Sequence, residues 1–148
     1  MTRPFSLQTV LELMQSRADE ATQRLARLLA AERDARNKLA LLRQYRDEYA
    51  LRFRQAAQQG LGQPEWRNYQ EFMNRLDQAV DQQSEAVRQQ ESRTAAGQAA
   101  WQQQRSRLQA FDALSQRHRA SEARSELRQE QKAQDEFASR GKEDDPGT

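Results

Sequence analysis

The stretch Gly60-Leu61-Gly62-Gln63-Pro64-Glu65-Trp66, GLGQPEW, holds two of the chain's five glycines and one of its three prolines. On either side the sequence reads as helix, from about residue 5 to 58 and from about 64 to 139. Ala, Leu, Gln, Glu and Arg, all good helix formers, dominate both sides. Gly60 and Gly62 can take positive φ at low cost and so end the first helix. Pro64 suits the first turn of the next, where its missing N–H costs nothing. A turn of about residues 59–63 makes the neighbours antiparallel. The break therefore predicts an all-α fold, two long helices forming an antiparallel coiled-coil hairpin.

The periodicity on each side fits this reading. In the first half a 4-3 spacing picks out Leu7, Leu11, Met14, Ala18, Ala21, Leu25, Leu28, Glu32, Ala35, Leu39, Leu42, Arg46, Tyr49, Phe53 and Ala56. Only Glu32 and Arg46 are not apolar, a sustained coiled-coil signal. Pro4 suits a first turn and Ser6 an N-cap. In the second half the stripe is Trp66, Tyr69, Met73, Leu76, Val80, Gln83, Val87, Gln90, Thr94, Gly97, Trp101, Gln104, Leu108, Phe111, Ser115 and His118, with a polar or small centre. Past His118 only Leu127 and Phe137 are strongly apolar, so the second helix outruns its partner. Facing residues should have numbers summing to 122–123. This places Trp101 opposite Ala18 and Ala21, Gly97 and Thr94 opposite Leu25 and Leu28, Phe53 opposite Tyr69, and Arg46 near Leu76 and Asp77. Large faces small, as close packing requires.

Composition agrees with a narrow seam rather than a globular core. The chain has 148 residues, 36% hydrophobic and 31% charged, a mean hydropathy of -1.16, and 23 glutamines. It has no cysteine, which excludes disulfides and thiolate metal sites. No run approaches the roughly 18–20 apolar residues of a membrane span, and the N-terminus lacks the pattern of a secretory signal. The expectation is a cytosolic protein, able to reach a membrane through a partner. Net charge is +2, and it alternates in sign along the chain. Residues 1–58 carry 11 basic and 7 acidic groups, 59–100 carry 4 and 6, 101–132 carry 7 and 4, and 133–148 carry 2 and 5. That is the mixed face of a solvated helix, not the dense basic patch of a nucleic-acid binder. The tail GKEDDPGT, 141–148, reads as a disordered end.

Leu41, Tyr45, Phe72 and Ala79 are apolar residues that the seam does not use. Tyr45 follows Leu42 by three residues and precedes Tyr49 by four, and should face Phe72 and Leu76 across the hairpin. Such a patch either widens the seam or marks a partner site. The Arg-rich stretch from Arg105 to Lys132 is either a face kept soluble by Glu122 and Glu126 set against Arg124 and Arg128, or a helix end that enters an acidic partner. His118, the one histidine, has neither a second metal ligand at suitable spacing nor a nucleophile partner. GLG is followed by Pro, not by the Lys-Ser/Thr of a phosphate loop. With no concave pocket to tune its carboxylates, the fold does not suggest an enzyme or a cofactor.

The blocks PFSLQTVLELMQSRADEA, LALLRQYRDEYALRF, YQEFMNRLDQAV and ELRQEQKAQDEFASR, in this order and at this total length, resemble the FliJ family of the bacterial flagellar type III export apparatus. The resemblance implies a central stalk-like coiled coil whose open end inserts into the hexameric export ATPase, FliI. Its loop half would bind the export-gate membrane protein FlhA, and the protein would also act with export chaperones. It implies a cytoplasmic location, peripheral at the inner membrane of the flagellar base. The positions matching the gate-binding patch are Leu42, Tyr45, Tyr49, Phe72, Leu76 and Ala79, with Lys38 and Gln83 at its edges. The ring-binding end would use Arg117, Arg119, Arg124, Arg128, Gln131 and Asp135. The seam would rest on Leu11, Met14, Leu25, Leu28, Leu39, Phe53, Met73, Val80, Val87, Trp101, Leu108 and Phe111. Alternatives are the equivalent stalk of a virulence-type secretion system and a generic holdase or scaffold coiled coil.

Overall fold

The computed structural model describes the backbone over residues 4–143 and the side chains over 7–141. Helix α1 spans Pro4–Gln59 and α2 spans Gln63–Glu143, joined by Gly60, Leu61 and Gly62. No strand occurs among the described residues. None of their helices is long and apolar enough to cross a membrane. The helix begins at Pro4, whose ring presets φ, so Ser6 lies inside the first turn rather than at the cap. The disordered tail expected at the C-terminus falls largely on residues 144–148, outside the described residues.

The two turn glycines have different roles. Gly60 has φ +94°, and its N–H donates to the Ala57 carbonyl at 3.3 Å, closing the end of α1. Gly62 has no positive φ; its carbonyl accepts the Trp66 N–H at 3.0 Å and starts α2. Pro64 then falls among the first helical residues, where no intrahelical acceptor waits for an N–H. Glu65 places an acid in the first turn, favourably to the helix dipole.

Packing divides the chain into two units, one of residues 19–103 and one of residues 1–18 with 104–148. In the first, Leu39, Val80 and Val87 are buried, with Ala35 and Leu42 packed against them. Next to the turn, five aromatics interlock in four tilted or edge-on pairs. Tyr49 lies 4.3 Å from Phe72 and 5.3 Å from Tyr69, and Phe53 lies 5.0 Å from Trp66 and 5.4 Å from Tyr69, between ring centroids. Polar pins hold the register. The Trp101 indole N–H donates to Thr22 Oγ1 at 3.0 Å, and the Gln83 amide donates to the Ala35 carbonyl at 3.0 Å. Buried Thr94 lies beside Leu28, its hydroxyl donating to the Gln90 carbonyl one turn back at 2.9 Å. Arg46 reaches Asp77 at 4.0 Å, and Arg36 pairs with Glu91 at 2.9 Å. The numbers of Trp101 and Thr22 sum to 123, of Thr94 and Leu28 to 122, and of Arg46 and Asp77 to 123. Bonds on the flanks lean away from that value, to 118 for Gln83 with Ala35 and 127 for Arg36 with Glu91.

In the other unit Leu11, Met14, Leu108 and Phe111 are half-buried and Ser115 is buried. Arg119 donates to Gln8 Oε1 at 3.2 Å, which ties α2 to the first turns of α1. Beyond this point α2 has no helix opposite among the described residues. Residues 123–141 are all exposed, a single helix on the order of 30 Å long at 1.5 Å per residue.

Candidate partner-binding surfaces

A two-helix seam shields one stripe of each helix and leaves the flanks to solvent. All fifteen stripe positions of α1 are buried or half-buried, and so are those of α2 apart from Trp66. Against that background an exposed aromatic on a flank is a residue the hairpin does not need. Tyr45 is 51% exposed and Phe72 is 42% exposed. With Glu48, Tyr49, Arg52 and Leu76 they line an open groove of about 310 Å³ between the helices of the turn-bearing unit. Spacing explains the convergence. Tyr45, Glu48, Tyr49 and Arg52 recur at three and four residues on one face of α1, and Phe72 and Leu76 do so on α2.

The structure brings together four of the eight residues assigned to the gate-binding patch in one groove: Tyr45, Tyr49, Phe72 and Leu76. Leu42 and Ala79 are half-buried and lie off its lining, while Lys38 is exposed. Gln83 is half-buried with its amide committed to Ala35, so its side chain holds the two helices together. Trp66 packs on Phe53 and does not line the groove. Leu41 is 47% exposed, one turn before Tyr45. Sequence reasoning passed over Glu48 and Arg52 because charged flank positions read as solvated surface. Their spacing of three and seven from Tyr45 was the available signal.

The opposite flank of this unit is ionic. Arg36 pairs with Glu91 and with Glu32 at 3.7 Å, and Arg88 pairs with Glu85. The hydrogen bond from Arg88 holds the Glu85 carboxyl below the usual carboxylate range. No group of three acidic, histidine or cysteine side chains able to hold a metal occurs among the described residues.

In the other unit Arg117, Arg124, Arg128, Gln131 and Asp135 are exposed, and Arg119 is exposed but bonded to Gln8. Glu122 lies 3.0 Å from His118 Nε2, one turn before it, without the alignment of a hydrogen bond. It does not pair with Arg124, because residues two apart do not share a helix face. Leu127 and Phe137 stand 64% and 80% exposed on the unpartnered part of α2.

Residues 3–142 match the family model described as Flagellar FliJ protein. The flagellar FliJ protein of Salmonella typhi is 29% identical over 140 residues, covering 95% of each chain. That of Escherichia coli (strain K12) is 27% identical over 140 residues, again covering 95% of both.

Proposed function

The chain belongs to the flagellar FliJ family, and on that premise we propose that it is a non-enzymatic coupling protein of the flagellar export apparatus. Membership makes it a component of that apparatus; the finer roles are our reading. The turn-bearing unit docks on the membrane export gate, FlhA-like, through the groove of Tyr45, Tyr49, Phe72 and Leu76. The unpartnered stretch of α2 enters the ring of the hexameric export ATPase, FliI-like, as a stalk does. The protein also meets export chaperones there, and it works at the cytoplasmic face of the membrane without inserting in it.

One observation carries this reading: the exposed rings of Tyr45 and Phe72 line one open groove with Tyr49 and Leu76, whereas the equally exposed Trp66 packs on Phe53 outside it. A groove flanked by rings and aliphatic side chains suits the anchor of a partner. Because Tyr45 and Phe72 are half exposed, Tyr45→Ala with Phe72→Ala should leave helix content nearly unchanged, while loss of the Phe72–Tyr49 ring contact lowers the thermal midpoint by a few degrees, about 1 kcal/mol. The double change should weaken binding to the cytoplasmic part of the gate protein at least tenfold and impair motility. Unchanged gate binding in a folded double variant sinks the assignment.

A further inference from the structure

The groove has a charged frame that the apolar patch does not explain. Arg52 lines it directly. Arg75 lies three residues after Phe72 and four before Ala79, and so shares their face of α2. Lys38 lies three residues before Leu41 and seven before Tyr45, on the face of α1 that carries both. All three cations are exposed, and among the described residues none has a carboxylate within ion-pair distance. The arginines that do pair in this unit lie elsewhere. Arg36 and Arg88 are on the ionic flank, and Arg46, a seam position, is held between Asp47 at 3.6 Å and Asp77. The acid in the groove, Glu48, accepts a hydrogen bond from the Gln44 amide at 3.1 Å, and no ion pair joins it to Arg52 among the described residues.

We propose that the groove takes an acidic segment of a partner protein, one whose apolar anchor sits between Tyr45 and Phe72 and whose flanking carboxylates meet Arg52, Arg75 and Lys38. This rests on the reading of the groove as a docking site and adds the partner's charge. Guanidinium groups suit the task because they bind carboxylates in a planar, two-pronged geometry. Cations on the rim of an apolar anchor site set on-rate and specificity more than bulk affinity. They also make binding fall as salt rises, because exposed charges are screened over about 8–10 Å at physiological ionic strength.

The test is calorimetric titration of the full chain with the cytoplasmic part of the export-gate protein, at low and at physiological salt. Arg52→Glu with Arg75→Glu should raise Kd about tenfold at low salt and flatten its salt dependence. Tyr45→Ala with Phe72→Ala should weaken binding at both salts and keep the slope. If the charge variant binds with wild-type affinity and slope while the aromatic variant is weakened, the acidic-partner proposal is overturned and the docking site stands. If neither variant changes binding, both fall. Phosphatidylglycerol vesicles, titrated without the gate fragment, form the third arm. Binding to them that is lost in Arg52→Glu with Arg75→Glu, and not mirrored in the gate titration, assigns the cations to lipid and overturns the proposal. Both positions are exposed on helix surfaces, so circular dichroism of the variants should match wild type.

Discussion

Gly60 and Gly62 are two residues apart and chemically identical, yet only one must be glycine. At Gly60 the φ of +94° is costly for any residue with a Cβ, although an added Cβ would meet nothing within 4 Å. The cost of Gly60→Ala is therefore conformational, on the order of 1–2 kcal/mol. At Gly62 the backbone is ordinary, and an added Cβ would touch only Pro64 Cδ at 3.8 Å, a normal contact. Gly62→Ala should be neutral within about 0.5 kcal/mol. Thermal melts followed by helix ellipticity should show a drop of roughly 2–6 °C for the first and little for the second. Equal losses would mean that the turn is held by something other than the φ of Gly60. The sequence marks a turn here through its glycines and Pro64. It does not say which glycine carries the strain, because that depends on how the chain leaves α1.

Along the helices the seam depends on a few small residues. Gly97 sits mid-helix, where glycine costs about 1 kcal/mol relative to alanine. Its place in the seam explains its presence: a Cβ at 97 would collide with Leu28 Cδ1, so the leucine knob occupies the space that glycine leaves. Gly97→Ala gains helix propensity but overpacks the seam, a loss of about 1–3 kcal/mol. The net effect should be destabilising, and Leu28→Ala in the same chain should recover part of it. A double-mutant cycle read from urea midpoints should give a coupling of about 1 kcal/mol or more. A Gly97→Ala variant more stable than wild type would remove Leu28 from that hole. The 4-3 spacing is legible because burial in a hairpin repeats every three and four residues, and a helix surface offers no other way to hide a leucine. The expected facing of Thr94 with Leu28 and of Phe53 with Tyr69 follows from that spacing and the turn. The pins are harder to read. Thr22 lies off the stripe, and Gln83 could have used its amide in water as well as on Ala35. Polar side chains at a seam carry no periodic signal of their own. Glu48 and Arg52 are hidden for the same reason, since charge on a flank is the default for a soluble helix.

For the whole molecule, each unit leaves a different surface unspent. The turn-bearing unit offers rings framed by cations, while the other offers a helix that continues past its partner with no seam to stabilise it. An isolated helix of this length is marginal in water, and its persistence reflects continuity with the packed part of α2. Residues 123–141 shield nothing, so their removal subtracts helix without subtracting core. Ending the chain after Leu127 should lower helix ellipticity in proportion to the residues lost. The thermal midpoint should stay within about 2 °C of wild type, since surface changes away from packing have small effects. The proposed division of labour predicts more. The shortened chain should lose association with the ATPase ring in a pull-down, because Arg128, Gln131 and Asp135 are gone, while binding the gate fragment with wild-type affinity. Retained ring association would move that contact to the paired part of α2, where Arg117 and Arg119 lie beside the first turns of α1. Lost gate affinity would mean that the truncation reaches the turn-bearing unit, and the separation of the two surfaces would no longer hold.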